Sequence, residues 1–379
     1  MNIPFNRPYL SGNEIKYMLD AVNRGKIAGD GYYTRACSDW FVETYQFQKV
    51  LLTTSCTDAL EMAAILLDIK PGDEVILPSF TFVSTANAFL LRGAIPVFVD
   101  SEKDNPNMDV GKIENLISEK TRAIVPVHYA GVACDMKAIM HLAKKYGLYV
   151  VEDAAQAIDS FYEGQPLGSI GHLSAFSFHE TKNIISGEGG MLVINSPEFN
   201  ERAEVIREKG TNRSKYFRGE VDKYGWVDVG SSFLMSDLQA AFLYAQLQSL
   251  SIIQERRKRI WTIYNEYLSK DALSSHIRVN HIPNYGTNNA HMFYVVCKTP
   301  ELRTELIAFL KEKGVMAVFH YQSLHNSQFM HRFNNRCDLP MADYYSDRLL
   351  RLPLFYELND IEVLRICGLI EQCLMMYAI

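Results

Sequence analysis

Between residues 49 and 151 the chain alternates short apolar runs with amphipathic helical stretches, and this alternation limits the fold more than any other feature. Residues 50–52, 74–77, 95–99, 122–127 and 148–151 read as strands. Helices are expected over 57–67 and 82–91, and over a third stretch opened by Asp135 and closed by Gly147. In that third stretch Met136, Ile139, Met140 and Ala143 share one helical face. The pattern predicts an α/β fold, a mainly parallel sheet between helices. Ligands in such folds bind at the carboxyl ends of the strands, which singles out the segments after Leu52, Leu77 and Val151.

A helix over 13–23 precedes this region. Past residue 200 the pattern changes to long helices over 198–209 and 236–269, then strands over 293–297 and 315–319 around a helix over 301–312, and a final helix over 360–376. A chain of 379 residues exceeds one ordinary core. The expected division is a large domain over 1–245 and a smaller α+β domain over 246–379.

Charge and cysteine usage narrow the function classes. A formal net charge of −6 lacks the basic surplus of a nucleic-acid binder. The one tight basic run, Arg256-Arg257-Lys258-Arg259, follows Gln254 and Glu255 and reads as a solvated helix face. Seven scattered cysteines form no C-x-x-C pair and no metal-type spacing, which fits a reducing cytoplasm. No apolar stretch approaches the roughly 20 residues of a membrane span. A nicotinamide dehydrogenase is a poor fit, because no G-x-G-x-x-G run follows an early strand.

Three segments carry chemistry. Lys182, in Ser177-Phe178-His179-Glu180-Thr181-Lys182-Asn183, follows a strand over 173–178 and precedes Gly187-Glu188-Gly189-Gly190. An amine in apolar, glycine-rich surroundings has a lowered pKa and can act as a nucleophile, although a lone lysine before a glycine turn is usually a surface residue. Asp153, in Val151-Glu152-Asp153-Ala154-Ala155-Gln156, ends a buried strand. It could pair with a cationic heterocycle, or simply cap a following helix. Thr54-Ser55-Cys56-Thr57 opens a helix, where free N–H groups suit a phosphate or the hydroxyls serve as a plain cap.

Taken in order along the chain, these segments resemble the DegT/DnrJ/EryC1/StrS sugar aminotransferases, a branch of the fold-type I pyridoxal-phosphate (PLP) enzymes. The resemblance also draws on Ile3-Pro4-Phe5, Gly25-Lys26-Ile27, Pro78-Ser79-Phe80-Thr81-Phe82, Pro126-Val127-His128, Met235-Ser236-Asp237-Leu238-Gln239, Leu324-His325 and Leu352-Pro353-Leu354. It implies that Lys182 carries PLP covalently and that Asp153 binds the ring nitrogen. It places Gln156 near the ring's phenolic oxygen and Phe82 on the ring face. The backbone of Cys56 and Thr57, with the Thr57 and Ser177 hydroxyls, would hold the phosphate. Ser232 stands where many relatives carry an asparagine that reaches the partner subunit's phosphate. His320 and His325 are candidates for a sugar-nucleotide pocket, or structural histidines. Arg213, Lys223 and Tyr224 could meet the diphosphate or the partner's site, or form a solvated loop.

The family implies a homodimer with active sites at the interface. His179-Glu180-Thr181, Gly210-Thr211-Asn212-Arg213-Ser214 and Phe319-His320-Tyr321 resemble the branch that aminates dTDP-4-keto-6-deoxyglucose at C4, with L-glutamate as donor, to the galacto product. Amination at C3 and an equatorial product amine are the alternatives. Relatives that remove a sugar hydroxyl replace the lysine, commonly with histidine; Lys182 argues against that activity, and together with Asp153 and Gln156 against a non-catalytic protein.

Overall fold

The computed structural model describes residues 2–333 and 337–377. The first part of the chain supplies β1 (Lys49–Thr53), β2 (Glu74–Pro78), β3 (Ile95–Val99), β4 (Thr121–Ile124), β5 (Tyr149–Asp153), a short hairpin of β6 (Phe161–Tyr162) and β7 (Gln165–Pro166), then β8 (Leu173–Ser177) and β9 (Gly190–Ile194). Seven of these form one sheet in the order β1-β9-β8-β5-β4-β2-β3. Pairing from β3 to β8 is parallel, while β9 runs antiparallel to both β8 and β1. Six strands therefore point one way and β9 alone is reversed.

Strand residues alternate between two apolar layers, as a two-period element requires. Leu51, Val75, Leu77, Ala123, Val151, Leu173, Ala175 and Leu192 pack on one face. Val50, Leu52, Ile76, Ile124, Val150, Phe176, Met191 and Val193 pack on the other. Burial on both faces explains why these strands are continuously apolar rather than alternating with polar residues.

The helix signals act as their chemistry requires. Ser55 caps Cys56–Leu66 by accepting from the Asp58 N–H at 3.0 Å. Asp135 caps Met136–Tyr146 through the Ala138 N–H at 3.2 Å, and Gly147 ends that helix in the left-handed region at φ 66°. The stretch expected as one helix over 236–269 is two, Asp237–Gln248 and Leu250–Leu268, broken at Ser249. A helix over Tyr32–Tyr45, absent from the sequence reading, packs on the sheet through Cys37 and Phe41.

A second, wholly antiparallel sheet follows, with β10 (Ile277–Val279), β11 (Phe293–Cys297), β12 (Val318–Phe319) and β13 (Leu349–Leu352) in the order β10-β11-β13-β12. The strand expected over 315–319 shortens to its last part, because Val315 instead bridges Ile3. Helices Pro300–Glu312 and Asp360–Tyr377 cover this sheet, and Ile3 belongs to its core.

One buried anion locks the chain beside the catalytic edge. Glu152, fully buried, accepts from His128 Nε2 at 2.9 Å and from the N–H groups of Gly168, Ile170 and Gly171 at 2.8, 2.9 and 2.6 Å. Burial alone would raise its pKa, but the His128 and backbone donors overcome this and hold the carboxyl below its usual range. Glu152→Ala should lower unfolding free energy by about 3–5 kcal/mol, since His128 and three N–H groups lose their acceptor. Urea denaturation measures this, and a loss under about 1 kcal/mol would contradict the locking role.

Candidate active site

At the carboxyl ends of β1, β2, β5 and β8 the chain encloses a cavity of about 1060 Å³. All three strand ends singled out by the sequence open into it. Cys56, Thr57, Phe82, Asp153, Gln156, Ser177, Lys182 and His320 line its walls. A second hollow of about 920 Å³, beside Glu102, Asp109, Asp135 and His141, contains none of these residues. Among the described residues no group of three or more His, Cys, Asp or Glu side chains could hold a metal ion.

Lys182 lies on the segment between β8 and β9, and its backbone N–H donates to the His179 carbonyl at 2.9 Å. Burial holds its amine below the ordinary lysine range, and the Arg351 cation adds to this although Asp153 pulls the other way. Across the cavity Asp153 is the last residue of β5. No helix follows it, so capping is not its task. Its Oδ2 accepts from the Thr85 hydroxyl at 2.7 Å and its Oδ1 from the Ala155 N–H at 3.2 Å. Burial nevertheless raises its carboxyl above the usual range. An anion held in place at such a cost is poised for a cation within the cavity.

The start of helix Cys56–Leu66 forms the opposite wall. Among the described residues the N–H groups of Cys56 and Thr57 have no protein acceptor, as first-turn donors of a helix do not. The Thr57 hydroxyl, expected at the phosphate, lines the cavity and donates to Ser84 Oγ at 2.8 Å. Ser84 also lines the cavity, and its own O–H is available there as a further donor. Ser177 Oγ accepts from the His179 N–H at 3.4 Å, which leaves its proton free. Gly190 permits this assembly: a Cβ there would stand 2.4 Å from the Cys56 nitrogen. Two backbone N–H groups, two hydroxyls and the positive end of a helix suit a phosphate dianion.

Phe82 precedes helix Val83–Leu90 and keeps 55% of its surface exposed, its ring 6.0 Å from that of Tyr321. Gln156 accepts from the Ala130 N–H at 2.6 Å and donates to the Tyr321 hydroxyl at 3.1 Å. The donor set, the Asp153 anion and the apolar ring wall fit PLP, whose phosphate, cationic ring and flat face need those three partners.

The remaining expected residues divide between the cavity and other surroundings. His320 lines the cavity with its Nδ1 2.8 Å from the Tyr129 hydroxyl. Burial pushes its pKa well down. His325 does not line the cavity: its Nδ1 lies 2.6 Å from Ser79 Oγ and its Nε2 3.5 Å from Asp343 Oδ2. Its neighbour Leu324 takes that place in the wall. Ser232 is exposed and bridges Glu208. Arg213 donates to Glu208 at 3.0 Å and stacks against Phe217 and Tyr224, while Lys223 is exposed; none of the three enters this cavity.

Sequence reasoning missed Thr85, His291 and Arg351, all of which line the cavity. The available signal for Arg351 was a lone charge inside the apolar run Leu349-Leu350-Arg351-Leu352.

Comparison with known proteins agrees with this geometry. The model of the DegT/DnrJ/EryC1/StrS aminotransferase family matches residues 8–371. An uncharacterised protein of Methanocaldococcus jannaschii is 32% identical over 379 residues, covering 98% of this chain and 97% of that one. The aminotransferase TlmJ of Streptoalloteichus hindustanus superposes with a TM-score of 0.91 at 28% identity, with full coverage of both chains (100% each). The PLP form of a provisionally assigned sugar aminotransferase of Streptococcus pneumoniae gives 0.90 at 27% identity, covering 98% of each chain. The chain belongs to the DegT/DnrJ/EryC1/StrS aminotransferase family and is a PLP-dependent sugar aminotransferase.

Proposed function

We propose that the chain transfers the amino group of L-glutamate to C4 of dTDP-4-keto-6-deoxy-D-glucose, giving dTDP-4-amino-4,6-dideoxy-D-galactose for surface-polysaccharide synthesis. The observation that carries the chemistry is one cavity with Lys182, Asp153 and a helix start on its walls. The choice of sugar rests on the branch motifs Gly210-Thr211-Asn212-Arg213-Ser214 and Phe319-His320-Tyr321.

When bound, PLP supplies a carbonyl that takes up the amine and a cationic ring that accepts the electron pair left by the departing α-proton. The protein does the rest. The carboxylate of Asp153, fixed by Thr85 and Ala155, keeps the proton on the ring nitrogen. The amine of Lys182, its pKa lowered by burial, takes the proton from the α-carbon of the donor. When the keto sugar has replaced the donor, the same amine delivers a proton to the sugar carbon that acquires nitrogen. The N–H groups of Cys56 and Thr57 and the hydroxyls of Ser84 and Ser177 anchor the phosphate, and Phe82 covers one ring face.

A homodimer is part of the proposal. Phe217, Tyr224, Trp226 and Val227 expose 68, 51, 84 and 57% of their surface on one segment beside Arg213 and Lys223, as a subunit contact would. Ser232 is exposed in the same region, available to a neighbouring site. A cytoplasmic setting is supported by seven unpaired cysteines; no helix among the described residues is long and apolar enough to cross a membrane.

The product decides the substrate. Protein loaded with PLP, given L-glutamate and dTDP-4-keto-6-deoxyglucose, should yield an axial amine at C4 by NMR. An equatorial amine, or product only from a 3-keto isomer, would leave the aminotransferase and reassign its sugar.

A further inference from the structure

His291, in the wall of the active-site cavity, is fixed from three directions. Ala290 before it takes the left-handed region at φ 51°, a costly conformation for a residue with a Cβ. Arg257, buried and without an acidic partner among the described residues, donates to the carbonyls of Ala290 and His291 at 3.1 and 2.7 Å. Asn289 Oδ1 accepts from the His291 N–H at 3.0 Å. The ring is held by Asn183, the residue after Lys182: His291 Nδ1 lies 2.8 Å from Asn183 Oδ1. The Asn183 amide has one orientation, because its Nδ2 donates to Gln254 Oε1 at 2.8 Å and to the Asn289 carbonyl at 2.9 Å. Gln254 is fixed in turn, its Nε2 donating to the Asp159 carboxylate at 3.0 Å. An amide oxygen can only accept, so His291 Nδ1 carries the ring proton and Nε2 the lone pair. Burial, with the cations of Lys182, Arg257 and Arg351, pushes the ring's pKa well down and disfavours a second ring proton. Among the described residues Nε2 has no hydrogen-bond partner, and neither has the Lys182 amine in the same cavity.

We propose that His291 is a positioning residue for Lys182: its Nε2 accepts a hydrogen bond from the amine once a substrate has displaced that amine from the cofactor. This rests on the role given to Lys182 above and adds the group that aims it. The two side chains make no hydrogen bond with each other in this structure. The flexible four-carbon stem lets the amine turn to the ring, while Asn183 ties the lysine's backbone to that same ring. Held there, the amine keeps its lone pair on the carbon whose proton it moves, instead of sampling the whole cavity. The other histidine of the wall is not prepared in this way. His320 Nδ1 meets the Tyr129 hydroxyl, which can donate or accept, so that contact does not set its tautomer.

The test compares wild type with His291→Leu, which has no acceptor, and His291→Gln, whose amide oxygen can stand near the place of Nε2. Thermal melting first confirms that each is folded. Nitrogen NMR of histidine-labelled wild type should show one ring with its proton locked on Nδ1, a signal both variants lose; a proton on Nε2 would overturn the proposal. In protein loaded with pyridoxamine phosphate the Lys182 amine is free, and competitive acetylation reads its pKa. His291→Leu should lower that pKa, because the charged amine loses an acceptor, while Cys56, Asp153 and Arg351, which also act on it, are unchanged. PLP-loaded protein given ordinary and α-deuterated L-glutamate reads the proton step through the cofactor's absorbance. His291→Leu should slow that step by about ten- to hundredfold and raise its isotope effect, with half-saturating glutamate within about threefold. His291→Gln should recover most of the rate. An unchanged amine pKa with a rate within about twofold would overturn the proposal. A normal donor half with a slowed sugar half would also overturn it and give Nε2 to a sugar hydroxyl. Equal losses in His291→Leu and His291→Gln, with weakened glutamate binding, would make His291 a support of the wall only. Should wild type not react with L-glutamate, the donor assignment fails, and the amine's pKa in the variants still decides the role of His291.

Discussion

Lys182→Ala should lower turnover at least about ten-thousandfold, because the substitution removes both the covalent attachment and the group that moves the proton. The fold should survive. Among the described residues no hydrogen bond or ion pair engages the Lys182 amine, so its removal strands no partner, and burial disfavours its charge. The melting temperature should therefore stay level or rise slightly. A second readout is independent of turnover: borohydride should fix PLP to the wild-type chain, seen as added mass, and fail to do so in the variant. Normal turnover in Lys182→Ala would remove the lysine from the mechanism altogether.

Asp153→Asn should cost about a thousandfold in turnover while keeping the side chain's shape. The amide can still meet the Thr85 hydroxyl and the Ala155 N–H, but it carries no charge to hold a proton on the ring nitrogen. The cofactor-free variant should be at least as stable as wild type, since burial raises the Asp153 carboxyl and an amide avoids that cost. Activity and stability thus move in opposite directions, which a merely structural carboxylate would not produce. Loss of both together would mean that Asp153 shapes the cavity rather than charges it.

Much of this arrangement is legible in the chain because the residues that build it are also the residues that break the apolar pattern. Asp153 ends one strand and the Thr54–Thr57 segment follows another, both buried beyond their first residue, and Lys182 follows a third apolar strand. Periodicity and capping located them. The large sheet was readable for the same reason. What escaped depends on tertiary contacts. Helix Tyr32–Tyr45 starts at Gly31 without a side-chain cap. Strand β9 reads as an extension of a glycine cluster until its neighbours are known. The break at Ser249 has no proline or glycine to announce it. His325 and His320 are indistinguishable by residue type, yet Ser79 and Asp343 engage one while the other meets the cavity. Nothing local in the sequence marks the difference between those two environments.

The reversed strand β9 also sets when the site can come into being. Within the sheet, β1 pairs with β9 alone, and β9 joins it to β8. During synthesis, residues 49–53 therefore have no sheet partner until residues 190–194 have emerged. Until then no strand pairing joins the phosphate cradle after β1 to the lysine after β8. Such sequence-distant pairing is entropically slow. Cofactor capture should consequently be one of the last events of folding, and a nascent chain halted before Gly190 should expose an apolar strand edge and retain no PLP.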